Sequence, residues 1–195
     1  VVISQAFIGA IAGSGVAVED FEALIGYVVP SDTGSYTLTS AASAKAWTEY
    51  QDLFLISQVR ESTGGTAAGG VIAQLNGSST PYRIEYEYAY GTVGSHTAVA
   101  LRENNNGARM GFCTRDGTHA DEYGAAITTF ADINSGRWKT VVNMGGVDVN
   151  GAGGINLITS MWENTAAVTS IVISPSSGAN LMAGSRFDLY GIRAA

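Results

Sequence analysis

The sequence predicts an all-β chain: an antiparallel β-sandwich of jelly-roll type with an N-terminal arm. Three observations carry that expectation. Roughly ten or more short β-type runs recur about 10–15 residues apart, with turn chemistry between them. Glycine is abundant, 25 of 195 residues, which suits many tight turns. No helical pattern of about ten residues alternates with the runs, so a parallel βαβ arrangement is disfavoured. The absence of a fixed-period repeat also argues against a solenoid or propeller.

The elements follow in order. Val1–Val18 is apolar and Gly-rich, has no basic start of the kind signal peptides carry, and is too short and interrupted to span a bilayer. It reads as a strand or extended arm. Glu19–Gly26 begins with acidic residues and ends with glycine, the start and stop cues of a helix of one or two turns. Ser31–Gly34 is a turn and Ser35–Thr39 a short strand. The alanines of Ser40–Tyr50 favour helix, but a window this short is marginal without tertiary support. Asp52–Arg60 starts as a continuous apolar run, the pattern of a central strand buried on both faces. Val71–Leu75 is a strand closed by the turn dipeptide Asn76-Gly77.

Tyr82–Tyr90 has the clearest period of two: Tyr82, Ile84, Tyr86, Tyr88 and Tyr90 share one face, and Arg83, Glu85, Glu87 and Ala89 the other. That is a half-buried antiparallel strand. Thr97–Leu101 and Ala108–Thr114 flank a polar hairpin loop, Arg102–Gly107. Arg115–Gly124 is a polar loop, Ala125–Ile133 a strand and Asn134–Gly136 a turn. Trp138–Val142 is a strand, the glycine-rich Gly145–Gly154 a flexible or tightly turned connection, and Ile155–Trp162 an alternating strand. Val168–Ser174 and Arg186–Ile192 close the chain. The domain expectation is an arm or attachment segment over residues 1–34 and a β-sandwich over 35–195.

Composition narrows the function classes. Net charge is −7 and the basic residues are scattered, so neither nucleic acid nor an anionic membrane is an expected partner. Only 14% of residues are charged, below the roughly 25% of soluble domains. Such a surface suits coverage by other subunits. Cys113 is the single cysteine, which rules out an intrachain disulfide and reads as a small buried thiol.

Chemical motifs are sparse, and the expectation is no enzyme, no cofactor and no metal. His119 sits between Asp116 and Asp121 in a polar loop, with nothing to hold it as a catalytic base; His96 is the other histidine. Asp116, Asp121 and Glu122 could form only a weak cation site, since their spacing departs from a calcium-binding loop. Glu85 and Glu87 lie at a spacing compatible with paired-carboxylate glycoside hydrolysis, but Arg83 shares their face and a solvated polar surface explains all three. The tyrosines Tyr82, Tyr86, Tyr88 and Tyr90 are a candidate platform for glycans or for a subunit interface. Val1, Val2, Ile3, Phe7, Ile8 and Ile11 are the candidate partner-contacting residues of the arm.

The last third of the chain resembles a known family. Trp162, Asn164, Thr165, Thr169, Ser170, Ile171, Gly184, Ser185, Phe187, Leu189, Tyr190, Gly191 and Ile192 match the C-terminal signature of a family of tailed-bacteriophage virion proteins, which ends in a Gly-Ser-x-Phe-x-Leu-Tyr-Gly-Ile pattern. Lys139-Thr140-Val141, Leu75-Asn76-Gly77, and Tyr50 with Leu53 resemble its upstream pieces. The resemblance spans about residues 47–195, and the first 46 depart from it. It implies a non-enzymatic virion component: a capsid decoration (cement) protein on the outer head surface, with the major capsid protein and copies of itself, as trimer or dimer, for partners. A tail-fibre or receptor-binding module for host-surface glycans is the alternative it implies. A single β domain with a short arm suits decoration, because tail fibres are usually longer. The closing strand is explained by packing, so it is expected to mark the fold and not a binding site.

Overall fold

The computed structural model describes residues 21–65, 68–79, 82–92, 95–117, 121–149 and 151–193. The candidate arm residues Val1, Val2, Ile3, Phe7, Ile8 and Ile11 lie outside the described residues, as do His119 and the His96 side chain.

The described residues form strands β1 (Phe21–Val28), β2 (Tyr36–Thr39), β3 (Asp52–Glu61), β4 (Gly69–Leu75), β5 (Tyr82–Thr92), β6 (Ser95–Asn105), β7 (Ala108–Arg115), β8 (Gly124–Ala131), β9 (Lys139–Asp148), β10 (Ala152–Trp162), β11 (Ser170–Pro175) and β12 (Arg186–Ile192). The all-β expectation holds. A larger antiparallel sheet runs β1–β12–β3–β8–β9–β10–β5–β6 and a smaller one runs β2–β11–β4–β7. They join where the end of β3 pairs in parallel with β7, Arg60 opposite Thr114 and Glu61 opposite Arg115. With the hairpins β5–β6 and β9–β10 set aside, the larger sheet reads β1–β12–β3–β8 against β2–β11–β4–β7. Strands adjacent in sequence then hold the same rank in the two sheets. The hairpin β9–β10 lies under β7, the edge of the smaller sheet, and β5–β6 carries the larger sheet beyond it.

The core lies between the sheets. One apolar cluster takes Leu53, Leu55, Phe187 and Leu189 from the larger sheet and Leu38, Val71, Ile171 and Ile173 from the smaller. Period-two alternation produces it: each strand turns every second side chain inward. Cys113 is fully buried in the same cluster, and burial pushes its thiol up.

Several expectations are corrected. Glu19–Gly26 is not a helix in its described part; Phe21–Val28 is a strand, with a bulge between Ala23 and Ile25. Its pairing with β12 overrides local propensity, aided by Phe21 stacking on Tyr190 at 5.0 Å. Residues 21–34 therefore belong to the folded domain and not to an arm, since Leu24 and Val29 sit in the core. Ser40–Tyr50 resolves into two 3-10 turns, Ser40–Ala42 and Trp47–Glu49. Central β3 is not buried on both faces: Ile56 and Gln58 are exposed, and only its last residues are enclosed. The hairpin expected around Arg102–Gly107 does not form: β6 runs on to Asn105 and pairs with β5, whereas β7 pairs with β4 in the smaller sheet. The glycine-rich stretch Gly145–Gly154 is mostly strand. A Cβ on Gly153 would lie 2.6 Å from the Val147 carbonyl oxygen, and one on Gly145 2.9 Å from that of Ala125. These glycines let neighbouring strands close up.

Residues of the closing strands, with Asn76 and Lys139 upstream of them, are fold determinants. Asn76, in left-handed conformation at φ 53°, accepts at Oδ1 from the backbone N–H of Thr169 and of Ser170. It thereby ties the turn after β4 to the start of β11. Ser185 Oγ accepts from the Arg60 N–H at 3.2 Å. Gly191 lies under the Tyr50 ring, where a Cβ would come within 2.4 Å. Lys139 is buried and donates from Nζ to the carbonyls of Ser135 and Arg137, closing the turn before β9; burial lowers its pKa.

Candidate functional site

The sheet extension creates two surfaces, one on each face. On the inner face, β5 passes beyond β7 and leaves a cleft of ≈ 290 Å³. Its walls are Tyr86, Tyr88 and Tyr90 of β5 and Phe112 of β7. Tyr86 and Tyr88 stack at 5.7 Å, and Phe112 meets Tyr88 edge-on at 5.8 Å and 82°. Gly154 lets the Tyr90 and Phe112 rings settle onto the β10 backbone, since a Cβ there would lie 3.2 Å from each.

Asn156, one of the lining residues, ends a buried polar ladder. Asn143 Nδ2 donates to the Ile127 carbonyl at 3.2 Å and to Thr128 Oγ1 at 2.8 Å. Asn156 Nδ2 donates to Asn143 Oδ1 at 2.7 Å. This ladder crosses β8, β9 and β10 under β7. Gly111, at φ 88°, lets β7 approach it: a Cβ there would fall 2.9 Å from Asn143 Oδ1 and 2.9 Å from Asn156 Oδ1.

At the rim, Arg109 donates from Nε to Glu103 Oε1 at 3.0 Å and pairs with it again through Nη2 at 2.9 Å. The charge at this end is thus neutralised. Burial, followed by the Glu103 carboxylate, raises the Tyr86 phenol. A second, open depression of ≈ 700 Å³ lies beyond Arg109, lined by Arg83, Asn104 and Glu163 among others.

The tyrosine set divides. Tyr86, Tyr88 and Tyr90 line the cleft, but Tyr82 does not belong to a platform. It is 1% exposed, stacks on Trp162 at 6.4 Å and accepts the Leu75 N–H at its hydroxyl at 2.7 Å. Asn156, Gly111 and Phe112 are cleft residues that sequence reasoning did not single out. The alternation of Ile155–Trp162, which put Asn156 on the inner face, was the available signal.

The outer face of the larger sheet is apolar and exposed. Ile56, Ile127, Met144 and Leu157 stand directly opposite one another in successive strand pairs, so they form one row across β3, β8, β9 and β10. Met144 is 60% and Leu157 54% exposed, and Val142 and Ile155 extend the row on either side. Glu87 and Ala100 continue it across β5 and β6. Glu85 and Glu87 therefore lie on an open sheet face, with Glu85 3.6 Å from Arg102.

Asp116 is 3.4 Å from Arg60. Among the described residues, no group of three or more His, Cys, Asp or Glu side chains could hold a metal ion. Also among them, no helix is long and apolar enough to cross a membrane. No protein-family model matches the chain, and no curated protein matches it.

Proposed function

We propose that this chain is a non-enzymatic structural protein of a tailed-phage particle: a decoration subunit that lies on the outer head surface, binds the major capsid protein and copies of itself, and stabilises capsomer contacts. The observation that carries a structural role is the exposed row Ile56–Ile127–Met144–Leu157. An exposed contiguous apolar patch marks an interaction surface. A sheet face that meets its own copy across a two-fold axis buries the same residues on both sides. The phage assignment is supported by the C-terminal resemblance, several of whose matched residues tie β11 and β12 to β4, β3 and β1. We read the interleaved order β1–β12–β3–β8 over β2–β11–β4–β7 as a jelly roll with two inserted hairpins. Attachment then works by area: a standard interface of about 1,600 Å² suffices for stable binding. Particles lacking the protein should lose DNA at a lower temperature than complete ones, and re-addition should restore them. Equal heat resistance would end the decoration reading.

A second reading is a receptor-binding module for host-surface glycans, favoured by the aromatic cleft at Tyr86, Tyr88 and Tyr90. Binding to host envelopes that is lost in Tyr88→Ala, with the fold intact, would support it over decoration.

A further inference from the structure

We propose that β6 is a self-pairing edge: two copies of the chain join β6 to β6 in antiparallel fashion across a two-fold axis at Ala100, which makes their two larger sheets one. This rests on the reading above that copies of the chain associate, and names a contact separate from the outer face.

The sheets have four edges, and three are guarded. Along β1, a bulge between Ala23 and Ile25 breaks the register, and the Ala44 N–H already donates to the Leu24 carbonyl at 3.1 Å. β2 is only four residues long. β7 is tied to β3 at its end, and its Arg109 N–H donates to Ser160 Oγ at 3.2 Å. Bulges, short strands and covering groups are how folded proteins keep sheet edges from pairing with other chains. β6 has none of them. It runs eleven residues, Ser95–Asn105, and among the described residues it pairs with β5 alone, in unbroken register. It contains no proline and no lysine. Its two charged residues are engaged within the chain, Arg102 3.6 Å from Glu85 and Glu103 2.9 Å from Arg109. The free row of backbone donors and acceptors therefore calls for another strand.

The sequence of β6 selects a copy of itself, in one register. A two-fold axis normal to the sheet places residues of the same face opposite each other. With Ala100 on the axis, all eleven residues find partners. Val99 of each copy then faces Leu101 of the other, on the side of the sheet that carries Tyr86 and Tyr88. Leu101, 47% exposed in the single chain, is covered. Arg102 falls opposite Ala98 and Glu103 opposite Thr97, so no charge meets its like. An axis at Arg102 or Glu103 would set like charges against each other. The register also continues the outer row: Ile56, Ile127, Met144, Leu157, Glu87 and Ala100 stand in line, and the line passes through the axis into the second copy. One strand edge is small beside a standard interface of about 1,600 Å². The pairing accordingly holds within the assembly that the outer face drives and does not replace it.

The test uses the intact chain and its charge variants at the axis. Ala100→Lys and Ala100→Glu should each raise the concentration needed for assembly by about tenfold or more, because two like charges then face each other. Their equimolar mixture should assemble as the wild type does, and so should Ala100→Gln. Hydrogen exchange gives a second readout that needs no β6 variant. The β6 amides not bonded to β5 should exchange slowly in the assembled wild type and fast in the monomeric Met144→Glu, Leu157→Glu chain. Unchanged assembly of Ala100→Lys, a mixture no better than its components, or β6 amides that exchange as fast in the assembled wild type as in the monomer would overturn the proposal and leave the outer-face contact standing. Slow exchange in the monomer would do the same, by showing that the chain's own residues cover the edge. A wild type that stays a single chain at every concentration would remove both contacts together.

Discussion

Glu61 and Arg115 are joined twice: as opposite residues in the parallel rung between β3 and β7, and as an ion pair in which Arg115 Nε donates to Glu61 Oε1 at 2.9 Å. Glu61 is fully buried, and the Ser177 hydroxyl donates to its second oxygen at 2.8 Å. Gly69 packs flat against the carboxylate, where a Cβ would lie within 2.3 Å. A buried, fully partnered charge thus sits at the seam that fastens the larger sheet to the smaller.

Removing Glu61 is the damaging change: it empties a fully buried position and deprives Arg115, 28% exposed, and the Ser177 hydroxyl of their acceptor. Glu61→Ala should lower stability by about 1–3 kcal/mol, the cost of the lost buried hydrogen bonds, read as a shift in the urea midpoint at unchanged slope. Glu61→Gln, which keeps the shape and part of the hydrogen bonding, should cost less. A shift below about 1 kcal/mol for Glu61→Ala, the level of an exposed ion pair, would show that the seam does not depend on it.

Gly191 and Tyr50 give a packing test. Gly191→Ala drives a Cβ into the Tyr50 ring, which is also held by its hydrogen bond to Glu22 Oε2 at 2.8 Å. Overpacking of this kind costs about 1–3 kcal/mol and should show as a lower melting temperature. Gly64→Ala, where nothing lies within 4 Å, is the matched control and should change little. Equal melting temperatures for the two variants would contradict the close approach.

Stability should fall in alkali. Burial pushes the Cys113 thiol and the Tyr82 phenol above their ordinary values of 9.0 and 10.0. Both groups therefore keep their protons in the native state at a pH where the unfolded chain loses them. The unfolded state then binds fewer protons, and stability declines as pH rises through those ordinary values. Below them this contribution is fully present and flat. Denaturation midpoints across the alkaline range should show this decline, and Cys113→Ser should remove its earliest part. A midpoint independent of pH above 9.0 would mean that the thiol is not buried as described.

Much of the fold was legible in the sequence, because period two survives wherever one face is buried. Tyr82–Tyr90, Ile155–Trp162 and Arg186–Ile192 all alternate in the structure as their residues alternate in the chain. Legibility failed where a partner strand supplies the reason. Phe21–Val28 carries helix-like end signals and becomes a strand through β12. Gly145, Gly153 and Gly154 resemble a loop until the backbone and ring atoms they admit are seen. The site was half legible: the tyrosine face showed as a stripe, whereas Tyr82 left it for the core and Asn156 joined it through Gly111, a contact between strands distant in sequence. The apolar outer row was hidden for the same reason, since Ile56, Ile127, Met144 and Leu157 meet only across three strand pairs.

The central claim is that the exposed outer face is an assembly surface. Its most direct test is the mass of the intact chain in solution, by light scattering across a concentration series, beside the double variant Met144→Glu, Leu157→Glu. The account predicts that the wild type reaches a multiple of 20.2 kDa and that the double variant, still folded, falls back to 20.2 kDa. A wild type that stays at 20.2 kDa throughout, or a double variant that assembles as the wild type does, would contradict it.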